Sequence, residues 1–154
     1  MYQTILVPVD GSMRAEAILR HVENLAKENK SKVVLLKVEE EAILLERDEV
    51  IDIEKYKRDF EARIERSNVY LNTLKTKFHD KGITTVTRIA HGPVVKAILN
   101  VANEIGADLI AIATHGFGGL ARVSYGSVAA GVLQAAAIPI LLIRSCPKPK
   151  EKIC

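Results

Sequence analysis

DLIAIATHGFGGLARVSYGSVAAGVLQAAAIPILLI, residues 108–143, is the stretch whose reading decides how this chain folds. It opens on a short apolar run and closes on another, IPILLI at 138–143. Between them, residues 113–127 hold four glycines, and 127–136 read as a small helix. Glycine costs conformational entropy and is kept where backbone takes a positive φ or comes close to something. Two apolar strands joined through a glycine-rich turn and a helix make a crossover unit. Its strands run parallel, and its helix covers one face.

Working outward, the same alternation repeats along the chain. TILVPVD at 4–10 is short and β-branched, as a buried strand should be. Ile18, Val22, Leu25 and Ala26 then line one helical stripe, and KVVLLKV at 32–38 is the second strand. A long second helix, about residues 53–81, carries Ile53, Tyr56, Phe60, Ile64, Ser67, Leu71, Leu74 and Phe78 at steps of three and four. TTVTRIA at 84–90 is a more polar strand suited to a sheet edge. Val94, Val95, Ile98, Val101, Ala102 and Ile105 line helix three. These repeats carry no hairpin signals. They predict an α/β fold: a doubly wound five-stranded parallel sheet, order 3-2-1-4-5, with helices on both faces. Chain direction then reverses between strands one and four, and ligands bind outside the carboxyl ends of strands at such a point. Pro8-Val9-Asp10-Gly11-Ser12 and the glycine stretch both fall there.

Composition narrows the classes. A chain of 154 residues with 48% apolar and 27% charged residues suits one globular domain, here 1–145. Residues 146–154, CPKPKEKIC, read as a flexible polar tail. Cys146 and Cys154 have neither disulfide-framework nor metal spacing. No apolar run approaches the roughly 20 residues of a membrane span. The N-terminus goes straight into a strand pattern without a basic leader, so a cytoplasmic address is expected. Net charge is +3, but aromatics are only 5% and no basic stripe interleaves them, which argues against nucleic acid as a partner. Residues 39–54 hold eight acidic residues and one basic one, and read as a mobile segment, either a partner-facing or dimer-dependent lid or a solvated irregular linker.

Three phosphate motifs compete for the glycine stretch. A P-loop needs a Gly-Lys pair, which the chain lacks. Gly116-x-Gly118-x-x-Ala121 matches the dinucleotide fingerprint formally. However, it follows the fourth strand, and no carboxylate occurs between Ala121 and Glu151. The third pattern is Ala113-x2-Gly116-x9-Gly126-Ser127. Together with ILVPVDGS and the closing apolar strand, it resembles the universal stress protein family in its ATP-binding type, over roughly residues 3–144. The family signature is G-x2-G-x9-G-[ST]; Ala113 stands at its first glycine, and the other positions match.

That resemblance implies ATP as ligand, with AMP and ADP as alternatives, and Mg2+ or Mn2+ as a companion ion. It also implies a homodimer, an unidentified protein partner, and a regulatory or protective role in stress. By resemblance, Val38 and Ile112 flank the adenine, and Pro8, Val9 and Val128 join them around the nucleotide. Periodicity alone makes Val38 and Ile112 core residues. Gly126-Ser127 opens helix four, whose first amides favour an anion. Ser127 is placed either to donate to a phosphate or to act as N-cap. Arg122 is either a phosphate contact or a surface charge, and Asp10 either accepts from ribose hydroxyls or closes an Asx turn. His115 has no evident acid partner, and no nucleophile, general base or carboxylate pair stands near the loop. No catalytic residue is therefore assigned. A slow ATPase or nucleotidyl-transfer enzyme and a nucleotide-free dimer are the rival readings.

Overall fold

The computed structural model describes residues 1–40, 52–114 and 126–145. Five parallel strands lie in the order β3-β2-β1-β4-β5: β1 (Thr4–Pro8), β2 (Lys32–Glu39), β3 (Thr85–His91), β4 (Leu109–Ala113) and β5 (Ile140–Ile143). The expected topology is the observed one. The helices are α1 (Leu19–Asn29), α2 (Ile53–Asp80), α3 (Val94–Glu104) and α4 (Ser127–Ala135). β1 ends at Pro8 rather than Asp10, and β5 begins at Ile140 rather than Ile138. The first helix enters through a 3-10 turn, Ala15–Ile18.

Side chains alternate across a strand, so each central strand feeds two cores. Ile5, Val7, Val33, Leu35, Leu109 and Ala111 pack with Val22 and Ala26 of α1 and Leu71, Leu74 and Phe78 of α2. Leu6, Val34, Leu36, Ile110 and Ile112 pack on the other face with Ile98 and Val101 of α3 and Val132 of α4. This is why β1 and β4 read as continuous apolar runs: both their faces are covered. α3 and α4 meet closely at Gly131. A Cβ there would stand 2.7 Å from Val95 Cγ2, so glycine is what lets α4 settle at this depth.

α2 departs from the expected stripe. Burial begins only at Ser67, while Ile53 is 73% and Tyr56 36% exposed. At 28 residues α2 is about 42 Å long, whereas β2, with eight, spans about 26 Å. Its first half therefore runs past the carboxyl edge of the sheet. There the Tyr56 and Phe60 rings stack with centroids 6.5 Å apart, and Phe60 meets His91 at the end of β3 at 5.5 Å. The side chain of Asp52 caps the start of α2 by accepting from Lys55 N at 3.1 Å.

Candidate functional site

Two turns at the carboxyl edge build the site. After β1 the chain turns through Gly11, whose φ of +89° suits glycine. Ser12 N donates to Asp10 Oδ1 at 2.9 Å, closing the Asx turn that the sequence left as one of two options. Ser12 Oγ then accepts from Ala15 N at 3.0 Å, and its carbonyl accepts from Glu16 N at 3.1 Å. The loop and the 3-10 turn behind it are thus one hydrogen-bonded unit. Val9 N, donating to Leu36 O at 2.8 Å, anchors the loop to β2.

After β4, Thr114 organises the second turn. Its N–H donates to Ile143 O at 2.9 Å, and its hydroxyl accepts from Ser145 N at 3.2 Å, tying the end of β5. Its carbonyl accepts from Gly126 N at 2.6 Å, which fixes where α4 begins. Gly126, not Ser127, is the N-cap: it has φ −64° and ψ 153°, and no side chain caps the helix. Ser127 is instead the first helical residue. Because Thr114 already occupies the Gly126 amide, the first-turn donors left for an anion are those of Ser127, Val128 and Ala129. First-turn amides have no acceptor within their own helix.

Between these turns lies a cleft of about 420 Å3. Pro8, Val9, Asp10, Val38, Ile112, Ala113, Gly126, Ser127 and Val128 all line it. Gly116 and Arg122, with His115, lie outside the described residues, as do residues 41–51 of the acidic segment and the 146–154 tail with both cysteines. Ala113 fits where the signature has glycine. Among the described residues Lys30 is the one non-glycine with positive φ, and the Ala113 methyl belongs to the core beneath α1 and α2. Sequence reasoning missed Leu36, Val94, Ile98 and Thr114, which also line the cleft, as do Ala15 and Ala129. The first three are apolar residues indistinguishable by pattern from the core they continue. The cleft accordingly has an apolar wall on the α3 side and a polar end at the start of α4.

A polar cluster braces its edge. Glu39, the last residue of β2, lines the cleft beside Glu40 and is 8% exposed. Lys37 Nζ donates to Glu39 Oε1 at 2.5 Å and to Ser67 Oγ at 2.8 Å, and the Ser67 hydroxyl donates to Glu39. Burial alone would raise the Glu39 pKa. The hydrogen bonds from Lys37 and Ser67 and the charges of Lys37 and Arg63 outweigh it, and the carboxyl is held below its ordinary 4.5. The signal was present in the sequence: Ser67 is the polar interruption in α2's apolar stripe. Among the described residues no group of three or more His, Cys, Asp or Glu is placed to hold a metal ion, and no helix is long and apolar enough to cross a membrane.

The model of the universal stress protein family matches residues 1–144. The chain belongs to that family. YxiE, a universal stress protein of Bacillus subtilis, is 30% identical over 94% of this chain and all of its own. The solved structure of MJ0577, a universal stress protein of Methanocaldococcus jannaschii, superposes with a TM-score of 0.83. It is 26% identical and covers 96% of this chain and 99% of its own. A universal stress protein from Archaeoglobus fulgidus, solved in complex with dAMP, shares the fold at TM-score 0.67 and 20% identity, covering 92% of this chain and 98% of its own. For this universal stress protein the five-stranded α/β fold is therefore that of its family.

Proposed function

We propose that this universal stress protein is an adenine-nucleotide-binding regulatory module of a single domain over residues 1–145, acting in the cytoplasm. Its ligand is ATP, with AMP or ADP as the alternatives. One observation carries the reading: a cleft at the strand reversal whose apolar wall ends on the first amides of α4. The base lies against Val38 and Ile112, the ribose meets Asp10, and the phosphates meet Ser127 and Val128. The dAMP complex of the Archaeoglobus fulgidus protein supports an adenine nucleotide in this fold. Mg2+ or Mn2+ accompanies the nucleotide as a companion ion. The nucleotide state is what a protein partner reads during stress.

Mass spectrometry of nucleotides released from the denatured protein, paired with ATP titration of the stripped protein, tests the reading. Bound ATP or AMP with saturable titration supports the module, and co-purified ADP with slow turnover favours hydrolysis. No released nucleotide and no saturation would overturn it.

Asp10 gives a finer test. Asp10→Ala is expected to weaken ATP about tenfold while leaving inorganic triphosphate within about twofold, because triphosphate has no ribose to lose contact with. Equal losses for both would mean that Asp10 acts through its Asx turn alone.

The module is a homodimer paired through β5. Ile140, Leu141, Leu142 and Ile143 end the sheet and all four remain partly exposed. An edge strand of this kind presents unpaired backbone groups to a second copy, and pairing about a two-fold axis closes at two subunits. Leu141→Lys or Ile143→Lys is expected to give monomers by sedimentation with circular dichroism unchanged. A wild-type monomer at tens of micromolar would end the proposal.

A further inference from the structure

α2 reaches the Asp10 loop at a place the nucleotide contacts do not use. The Tyr70 hydroxyl donates to Glu16 Oε1 at 2.7 Å, across 54 residues of chain. Glu16 sits in the 3-10 turn directly behind the loop, with its own N–H on the Ser12 carbonyl at 3.1 Å. The Tyr70 ring is half-buried and packs against the core under α1 and α2, so the phenol is aimed from a fixed base. Burial first, then the Glu16 hydrogen bond and charge, then the Asp10 charge, push the phenol's pKa far above its ordinary value, while the Gly11 backbone opposes them. Tyr70 is thus a permanent neutral donor that feels three residues of this unit: Asp10, Gly11 and Glu16. The loop itself needs such a hold, since Asp10 and Gly11 are exposed and Gly11 has positive φ.

We propose that Tyr70 and Glu16 are a positioning pair that presents the Asp10 carboxylate to the ribose of a bound adenine nucleotide. This rests on the nucleotide reading above and adds to it a division of labour. α2 sets the ribose end of the cleft, whereas Thr114 and α4 set the phosphate end. If the hydrogen bond is lost, the loop spends part of its time in other orientations, and apparent affinity falls by the fraction of time it is misplaced.

The test uses the full chain and four proteins: wild type, Tyr70→Phe, Glu16→Ala, and the double variant. Each is titrated with ATP and with inorganic triphosphate. Each single variant is expected to weaken ATP about three- to tenfold while leaving triphosphate within about twofold. The double variant should be no worse than either single one, because the two side chains act through one bond. Unchanged ATP affinity in a folded Tyr70→Phe protein would overturn the proposal. So would equal losses for both ligands, or losses that add in the double variant. Should Tyr70→Phe fail to fold, Glu16→Ala on its own decides by the same ligand comparison. A wild type that binds neither ligand removes the nucleotide reading as well. A wild type that binds ATP while the variants match it removes the positioning pair alone.

Discussion

A Gly126→Val protein folds as the wild type does and binds ATP at least tenfold more weakly, a loss of about 1.4 kcal/mol. Gly126 has φ −64° and ψ 153°, a conformation that valine adopts without strain. Its amide remains on the Thr114 carbonyl, and its own carbonyl still accepts from Ala130 N at 3.0 Å. Valine is a poorer N-cap than glycine, which costs the helix about 1 kcal/mol or less. What changes is the approach. A branched side chain stands at the mouth of the first turn, where phosphate oxygens must meet the Ser127 and Val128 amides. Isothermal titration of the folded variant measures the loss, and unchanged affinity would refute the assignment of α4 as the phosphate end.

The second large effect is on stability. Lys37→Met is expected to destabilise the protein by about 2–3 kcal/mol at pH 7, because it strands the Glu39 charge beneath α2. The figure lies below that for a fully buried pair since the Lys37 side chain retains 20% exposure. The pH dependence gives the sign. In the wild type the Glu39 pKa is lowered on folding, so its contribution is complete above 4.5 and is lost as pH falls through the lower folded value. In the variant Glu39 keeps its burial, the Ser67 hydrogen bond and the Arg63 charge but loses Lys37, so its folded pKa lies above the wild-type one and it has less stability to lose as pH falls. The gap between the two proteins therefore narrows on acidification. Urea unfolding at pH 7 and pH 4 checks both statements. A gap under about 0.5 kcal/mol at pH 7, or one that widens at pH 4, would show that the cluster is not a coupled ion pair.

The same α2 illustrates how pattern can mislead. Its stripe from Ile53 to Phe78 has one continuous helical period, yet only the half from Ser67 onward meets the core. Periodicity reports which side chains share a face, not how far the neighbouring sheet extends beneath it. β2 ends at Glu39, level with Ser67, and the helix continues past it.

The strand order, the two-faced core and the meeting of Pro8–Asp10 with Gly126–Val128 at one cleft were legible in the sequence alone. Each follows from local rules: alternation in buried strands, right-handed crossovers, and turn residues at strand ends. Only the tertiary structure decided which residue caps α4: by type Ser127 is the better cap, and the Thr114 carbonyl, holding the Gly126 amide, gives the place to Gly126 instead. Only it could pair Lys37 and Glu39 with Ser67, or Tyr70 with Glu16. These contacts join residues 28 to 54 apart along the chain, and their existence depends on the angle and depth at which α2 crosses the sheet. That angle is set by the packing of Leu71, Leu74 and Phe78 into the core, a three-dimensional fit that no one-dimensional period encodes.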